Sequence, residues 1–288
     1  MIYEGGWMRY IISADSTCDL SREQIEENRI GIIPLHIELG GEEHVDGVDI
    51  VPDDIYAYVD GGGELAKTAA VNPDEYGTYF EKWAAEYDFV IHINISADFS
   101  SCYQNACIAA EDHDNVYVVD SRNLSTGHGL VVMEACRLAA EGKGAEEIVA
   151  YLNDLTGRVE ASFILEHLSY LRKGGRCSSI AALGANMLRL RPCIEVKDGK
   201  MGVGKKYRGN FVHCLRDYVR DQIEGREDLD LTRIFVTHTK MPDETVAAAV
   251  ETIHELQPFT EVCETMASCT ISTHCGPGTI GVLFIRKE

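Results

Sequence analysis

The stretch FVIHINISADFSSCYQNACIAA, residues 89–110, predicts a strand, a tight turn and a helix in direct succession. Residues 89–95 form an apolar run of strand length, and a short polar turn follows them at residues 96–98. Beyond Ser100, apolar side chains recur every three or four residues as far as Ala110, which is the spacing of one helix face. The stretch therefore predicts a buried strand whose carboxyl end leads into a helix N-terminus.

Ser100 lies where this helix is expected to begin, and two interpretations of it stay open. The first turn of a helix has backbone N–H groups without partners and the positive end of the macrodipole, so a hydroxyl there suits an anion. Serine is also a preferred N-cap residue, and the hydroxyl could simply cap the helix. From this stretch alone, Ser100 is a candidate for either role.

The bulk properties restrict the class of protein. A chain of 288 residues suits two domains, and 45% hydrophobic with 25% charged residues is a balance typical of soluble globular proteins. The formal net charge of −21 predicts repulsion from nucleic-acid backbones and from anionic membrane surfaces. These properties favour a soluble protein that binds neither nucleic acid nor a membrane surface.

The ten cysteines are scattered and include no CxxC pair or zinc-like Cys/His spacing. We see no signal peptide and no apolar run long enough to span a membrane. Reduced thiols in the cytoplasm are the simplest interpretation, without a metal or cofactor. Residues 1–8 are expected to be an extension that precedes the fold.

Strands and helices alternate through the first half of the chain. This order predicts a three-layer α/β/α domain with a mainly parallel sheet over residues 9–157, with its boundary near Gly157. We expect strands at residues 10–12, 30–39, 89–95 and 116–119, an extended segment at 45–51, and helices at 22–28, 53–58, 72–86, 130–141 and 145–155.

The second half, residues 158–288, differs in pattern. Asp198-Gly199 is a hairpin signal between two short apolar segments, and helices and strands follow it. We expect a two-layer α/β domain with a mixed sheet. Its strands are predicted at residues 160–165, 193–196, 201–203, 234–236, 261–265 and 280–285, and its helices at 180–190, 211–223 and 245–256.

Three further segments carry candidate chemistry, each with a plainer interpretation. Thr68 lies in a loop, where threonine is usually only solvated. The segment Lys173-Gly174-Gly175-Arg176 has paired glycines beside two cations, which also suits an ordinary helix C-terminus. His274 and Cys275 precede Gly-Pro-Gly, but a Cys/His nucleophile pair requires proximity in space rather than in sequence.

Ten short motifs in one order resemble the DegV family of bacterial fatty-acid-binding proteins. They cover about residues 9 to 286. The motifs are DSTCDL (15–20), PL (34–35), DGVDI (46–50), KT (67–68), ISADFSSCYQNA (95–106), VDS (119–121), LSYLRKGGR (168–176), RP (191–192), DGK (198–200) and HCGPG (274–278).

The resemblance implies two α/β domains with the ligand in a tunnel between them. It implies that Thr68 and Ser100 bind a carboxylate, and that Arg176 and His274 lie near it. Four positions next to the two hydroxyls depart from the family pattern, namely Ala69, Val71, Ser101 and Cys102. Some family members are the acyl-carrying subunit of a fatty acid kinase, so a kinase catalytic subunit is the implied partner.

Elementary energetics agree with a lipid-binding function without catalysis. Burying each methylene contributes roughly 0.8 kcal/mol, so a long acyl tail would supply most of the affinity and the head group would set its orientation. The sequence has no Gly-rich Lys-Ser/Thr loop for ATP. Two alternatives stay open, namely a binding protein for another small anionic amphiphile, and a hydrolase using Ser100 with His274, although a Gly-x-Ser-x-Gly elbow is missing.

Overall fold

Three β-sheets and their covering helices make up the computed structural model, which describes residues 8–181 and 190–288. The strands are β1 (Tyr10–Asp15), β2 (Gly31–Ile33), β3 (His36–Leu39), β4 (Glu42–Val45), β5 (Lys67–Ala69), β6 (Phe89–Asn94), β7 (Val116–Asp120), β8 (Val159–Leu165), β9 (Leu190–Lys197), β10 (Lys200–Arg208), β11 (Leu229–His238), β12 (Glu261–Met266) and β13 (Thr279–Arg286).

The helices follow the same order along the chain, and a short 3₁₀-helix covers Ser16–Cys18. They are α1 (Arg22–Glu27), α2 (Pro52–Asp60), α3 (Pro73–Ala84), α4 (Cys102–Ala110), α5 (Ser125–Ala140), α6 (Ala145–Leu155), α7 (Ser169–Gly174), α8 (Ser178–Ala181), α9 (Phe211–Ile223), α10 (Asp243–Leu256) and α11 (Cys269–Cys275).

The first sheet is parallel throughout and has the order β2-β1-β6-β7. All six residues of β6 are buried, as expected for a central strand covered on both faces. Helices α3 and α4 pack together on this sheet, and α5 packs with α6. This arrangement confirms the predicted α/β class and explains why residues 89–95 read as a continuous apolar run.

Local sequence signals set several helix starts. Ser21 and Gln24 form the capping box predicted for α1. Asn72 accepts a hydrogen bond from the backbone N–H of Glu75, and Pro73 occupies the first turn of α3. Helix α4 begins one residue after Ser101, so Ser100 precedes the cap position and is not itself the N-cap.

The single strand expected at residues 30–39 is two strands in two different sheets, so that prediction was wrong. β2 joins the parallel sheet, whereas β3 pairs antiparallel with β4 and β5 in a separate three-stranded sheet. Pro34 lies between them and offers no backbone N–H to a ladder. The segment expected to extend over residues 45–51 also differs, because β4 ends at Val45.

The third sheet is mixed and has the order β10-β9-β8-β13-β11-β12. Only the β11–β12 pair is parallel among its described strands. Helices α9 and α10 cover one face, where Tyr218, Ile234 and Phe284 lie in a common core. The two-layer domain with a mixed sheet expected for the second half is therefore confirmed.

Helix α5 fills the space between the parallel and the mixed sheet. It contacts β1 and β6 on one side, and β8, β11 and β13 on the other. Thirteen of its sixteen residues are buried, including Ser125, Thr126 and His128, so the helix is covered on almost every side rather than on one face. It begins at Ser125, five residues before the predicted start, because its first turn is itself enclosed between the two sheets.

The predicted boundary near Gly157 lies in the turn between α6 and β8, where the chain passes from one sheet to the next. It stays a prediction. The helix expected at residues 180–190 is described only as α8, and residues 182–189 lie outside the described residues. The predicted extension at residues 1–8 also lies outside them, except for Met8.

Candidate functional site

One cavity brings together all four candidate residues from the sequence. It has a volume of about 260 Å³ and is lined by Thr68, Ser100, Arg176 and His274, among others. Thr68 and Ser100 come from the first half of the chain, whereas Arg176 and His274 come from the second. The cavity therefore lies where the two halves meet.

Ser100 is positioned by the turn that leads from β6 into α4. Its hydroxyl accepts a hydrogen bond from the backbone N–H of Cys102 at 3.3 Å and donates one to Cys102 Sγ at 3.1 Å. Because a thiol is a weak acceptor, a carboxylate oxygen would be a stronger partner for the Ser100 hydrogen. The Ser100 hydroxyl is only partly buried and faces the cavity.

Asp15, at the end of β1, fixes the turn that leads from β6 to Ser100. Its carboxylate accepts a hydrogen bond from the backbone N–H of Ile95 at 2.8 Å and another from the Asn94 side chain at 3.3 Å. Asp15 and Asn94 are completely buried. The carboxylate therefore holds the carboxyl end of β6 against β1 and so sets where the chain turns toward Ser100.

Thr68 and His274 form a direct pair across the cavity wall. Thr68 Oγ1 lies 2.9 Å from His274 Nε2. Burial, with a smaller contribution from the Arg176 guanidinium, lowers the pKa of His274 from 6.5 to about 4. The imidazole is therefore neutral near pH 7, and in the tautomer with hydrogen on Nε2 it donates to Thr68. The Thr68 hydrogen is then available to an anion in the cavity.

His274 lies on α11, a helix that the sequence analysis missed because the HCGPG motif indicated only a turn. Asp46 accepts hydrogen bonds from the backbone N–H groups of Cys269 and Thr270 at 2.8 and 3.1 Å. Asp19 accepts from the backbone N–H of Ser268 at 2.9 Å. Two buried carboxylates from the first half thus satisfy the start of a helix in the second.

The glycine pair before Arg176 has a steric reason. A side chain at Gly174 would place its Cβ 2.6 Å from His274 Nδ1, so only glycine allows α7 to approach the imidazole. Arg176 donates from Nη1 to the carbonyl of Gly174 at 3.0 Å. Its guanidinium is exposed and makes no ion pair with any carboxylate of residues 8–181 and 190–288.

The remainder of the cavity wall is mainly hydrocarbon. Its large apolar side chains come from both halves of the chain, and they are Leu35, Ile95, Phe99, Leu124, Leu171, Met201 and Ile271. None of these seven was predicted to line a site, because a buried leucine or isoleucine carries no local sign of whether it faces a core or a cavity. Only Leu35, Ile95, Phe99 and Leu171 fall within motifs that carried the family resemblance.

The geometry does not form a Ser/His nucleophile pair. The hydroxyl of Ser100 hydrogen-bonds to Cys102, and the imidazole of His274 hydrogen-bonds to Thr68. Burial raises the pKa of the Cys102 thiol to about 11 and that of Cys275 to about 12, so both stay protonated near pH 7. All ten cysteines have free thiols. The arrangement suits anion binding beside an apolar cavity.

Comparison with known proteins decides the family. The sequence model of the DegV family, described as uncharacterised protein, matches residues 10–287. A DegV domain-containing protein of Clostridium acetobutylicum is 33% identical over 280 residues, which cover 96% of this chain and 98% of the relative. The chain belongs to the DegV family.

Solved structures of two fatty acid-binding proteins share the fold. A fatty acid-binding DegV family protein of Thermus thermophilus is 27% identical, with a TM-score of 0.87 over 97% of this chain and 100% of that one. A stearic acid-binding protein of Eubacterium ventriosum is 25% identical, with a TM-score of 0.82 over 96% and 98% of the two chains. Both relatives are thus fatty acid-binding proteins with this architecture.

The described part of this DegV protein contains neither a membrane-spanning helix nor a cluster of metal-ligating side chains. No helix within it is long and apolar enough to cross a bilayer. No group of three or more His, Cys, Asp or Glu side chains in residues 8–181 and 190–288 is arranged to hold a metal ion.

Proposed function

We propose that this DegV protein binds a long-chain fatty acid and presents it to the catalytic subunit of a fatty acid kinase. The carboxylate would be bound by Ser100 and Thr68, and the tail would lie in the cavity between the two halves. The observation that carries this proposal is the cavity itself, in which two hydroxyls and an apolar wall meet. The fatty acid-binding relatives of the same fold support it.

Each part of the cavity has a role in this function. The hydroxyls of Ser100 and Thr68 would donate charge-assisted hydrogen bonds to the carboxylate, near the positive N-terminus of α4. The hydrocarbon wall would supply most of the affinity, at roughly 0.8 kcal/mol per buried methylene. Arg176 and His274 would lie next to the head group, where the exposed guanidinium would balance the added charge of an acyl phosphate.

The chain would act as a carrier and leave catalysis to its partner. Its sequence has no phosphate-binding loop for ATP, so the kinase subunit would supply the nucleotide. Acyl phosphate should form when the loaded protein, ATP and the kinase subunit are combined, and should not form when the kinase is omitted. The ten free thiols support a reducing compartment, and we place the protein in the cytoplasm.

The head-group assignment is tested with the double variant Ser100→Ala, Thr68→Ala. Each lost charge-assisted hydrogen bond is worth about 1.5–3 kcal/mol, so affinity for oleate should fall about a hundredfold or more. Isothermal titration of lipid-free protein measures this change. The melting temperature of Ser100→Ala alone should move little, since this hydroxyl is only partly buried, whereas Thr68→Ala also removes the partner of His274 Nε2 and should lower it. Thr232→Ala, on an exposed position of β11, is the matched control and should bind normally.

Undiminished affinity in the double variant would remove Ser100 and Thr68 from the site. Native mass spectrometry of the protein as purified identifies the ligand independently. Recovery of a different anionic amphiphile would favour the alternative binding function and contradict the fatty acid.

A further inference from the structure

A second, smaller cavity lies beside the first. It has a volume of about 30 Å³ and is bounded by β8, β11, β13 and the start of α5. Leu124, Ile271 and Cys275 line both cavities and so form the partition between them. None of the four head-group candidates lines the second cavity. The second cavity therefore adjoins the first without including any of the head-group candidates.

The second cavity has many polar residues in its wall, and at first sight it does not suit a hydrocarbon. These residues are Ser125, Ser162, Thr237, His238, Thr239 and Thr279. What matters is whether their polar atoms are free to face the cavity. A buried hydroxyl that is hydrogen-bonded elsewhere presents only its carbon atoms.

The two serines are engaged by groups behind the wall. Ser125 donates to Asp19 Oδ2 at 2.5 Å. Ser162 Oγ lies 2.8 Å from the hydroxyl of Tyr218, which belongs to the core under α9. Neither hydroxyl needs a partner inside the cavity.

Thr237 and His238 are satisfied in the same manner. Thr237 Oγ1 lies 2.6 Å from the hydroxyl of Thr126 on α5. His238 Nδ1 lies 2.9 Å from the carbonyl of Thr239, and its Nε2 lies 3.4 Å from a carboxylate oxygen of Glu264. A neutral imidazole carries one N–H, and with that hydrogen on Nδ1 His238 donates to the carbonyl of Thr239.

The last two threonines bond to backbone carbonyls. Thr239 donates to the carbonyl of Gly276 at 2.8 Å, and Thr279 donates to that of Cys275 at 3.1 Å. All six polar residues in the wall thus have partners within the protein. The second cavity therefore presents mainly carbon atoms to an occupant and offers water few hydrogen-bond partners, as a dry apolar cavity does.

We propose that this second cavity receives the methyl end of the acyl chain, and that its size sets the longest chain the protein binds tightly. The inference rests on the proposed fatty acid binding. The chain would pass the partition at Leu124 and Ile271, whose flexible apolar side chains can move aside without exposing a polar group. The second cavity suits a hydrocarbon, because the six polar residues in its wall have hydrogen-bond partners within the protein.

The volumes explain why length would be selected. The two cavities together offer just under the roughly 300 Å³ at which small-molecule sites usually begin, so there is little unused space. A methylene that finds no room in the protein stays in water or forces the wall apart. Each methylene left in water then forgoes the roughly fourfold gain in affinity that a buried methylene would give.

Ala267 offers the direct test, because it is buried and lines the second cavity but not the first. Ala267→Leu should fill the second cavity. Affinity for octadecanoate should then fall at least tenfold, whereas affinity for dodecanoate should stay within about twofold of the wild type. Titration of lipid-free protein measures both affinities. Ala248→Leu, at a buried position of α10 that lines neither cavity, is the control and should leave the ratio of the two affinities unchanged.

A second variant tests the same idea in the opposite direction. Phe163→Leu enlarges the second cavity and should raise the affinity for icosanoate relative to hexadecanoate. Phe235 is buried in a strand and lines neither cavity, so Phe235→Leu is the control and should leave this ratio unchanged. An unchanged length preference in both Ala267→Leu and Phe163→Leu would overturn the inference. Absence of binding for every fatty acid in the wild type would instead overturn the proposed function.

Discussion

His274 is a histidine that the fold keeps neutral. It is enclosed by α7 and the cavity wall, and its only close cationic neighbour among the described site residues is Arg176. Both circumstances disfavour the imidazolium, which lowers its pKa to about 4. At pH 7, His274 therefore acts on Thr68 as a neutral hydrogen-bonding partner, and the positive charge at this end of the cavity is that of Arg176.

The low pKa of His274 predicts a dependence of stability on pH. Below pH 6.5 the unfolded chain takes up a proton at this residue, whereas the folded protein does not until about pH 4. The contribution of His274 to stability is present above pH 6.5 and is lost as the pH falls. Between pH 7 and pH 5, wild type should therefore lose about 2 kcal/mol more unfolding free energy than His274→Gln.

Urea denaturation of both lipid-free proteins at the two pH values measures this difference. The comparison between variants is needed because burial raises the pKa of Asp19 to about 7, which acts in the opposite sense. An identical loss of stability in the two proteins would show that His274 titrates normally.

At the residue scale, the sequence motifs identified the side chains of the site but not their partners. Ser100 could be read as a cap or as a ligand group, and only the fold shows that Ser101 occupies the cap position. The hydrogen bond between Thr68 and His274 joins residues 206 positions apart, and no local pattern reports it. Asp15 lies in the motif DSTCDL and Asp46 in the motif DGVDI. The backbone N–H groups that they bind come near them only in the folded chain.

Among the elements, α5 shows how glycine allows close packing. A Cβ on Gly129 would lie 2.6 Å from the carbonyl oxygen of Cys18 and 2.9 Å from a methyl carbon of Leu20. Glycine inside a helix normally costs about 1 kcal/mol relative to alanine. Here that cost is offset because the helix can approach the 3₁₀-helix that follows β1.

Two glycine substitutions should therefore have opposite effects. Gly129→Ala should destabilise the protein by about 1–3 kcal/mol through overpacking. Gly77→Ala, in α3, should stabilise it by about 0.5–1 kcal/mol, because a Cβ at Gly77 meets nothing within 4 Å. Chemical denaturation measures both free energies, and stabilisation by Gly129→Ala would contradict the close contact described above.

Elements with a strong local period were predictable. The helices expected at residues 145–155 and 211–223 have those bounds in the structure, because each has an amphipathic face set by its own residues. The three-stranded sheet of β3, β4 and β5 was not predicted, since its short strands carry mixed polar residues and pair over long separations. Helix α11 was missed because its start is stabilised by distant carboxylates rather than by its own sequence alone.

Considered as a whole molecule, the protein carries a formal charge of −21. If it collects fatty acid from bilayers, an anionic vesicle should repel it, and salt should screen that repulsion. The rate of oleate transfer from phosphatidylglycerol vesicles should therefore rise between 0.05 and about 0.5 M salt. Transfer from phosphatidylcholine vesicles, which carry no net charge, should change little and serves as the control.

A transfer rate from anionic vesicles that falls as salt is added would indicate attraction through a local basic surface. Stopped-flow fluorescence with a labelled fatty acid follows both reactions on the same protein.

The position of α5 has a consequence for how the chain can be divided. By sequence this helix belongs to the first half, yet its far side is covered by β8, β11 and β13 of the second. Cutting the chain at Gly157 would leave α5, thirteen of whose sixteen residues are buried, without the cover that these three strands provide. The two halves of the chain share one hydrophobic interior, and neither half has a complete one by itself.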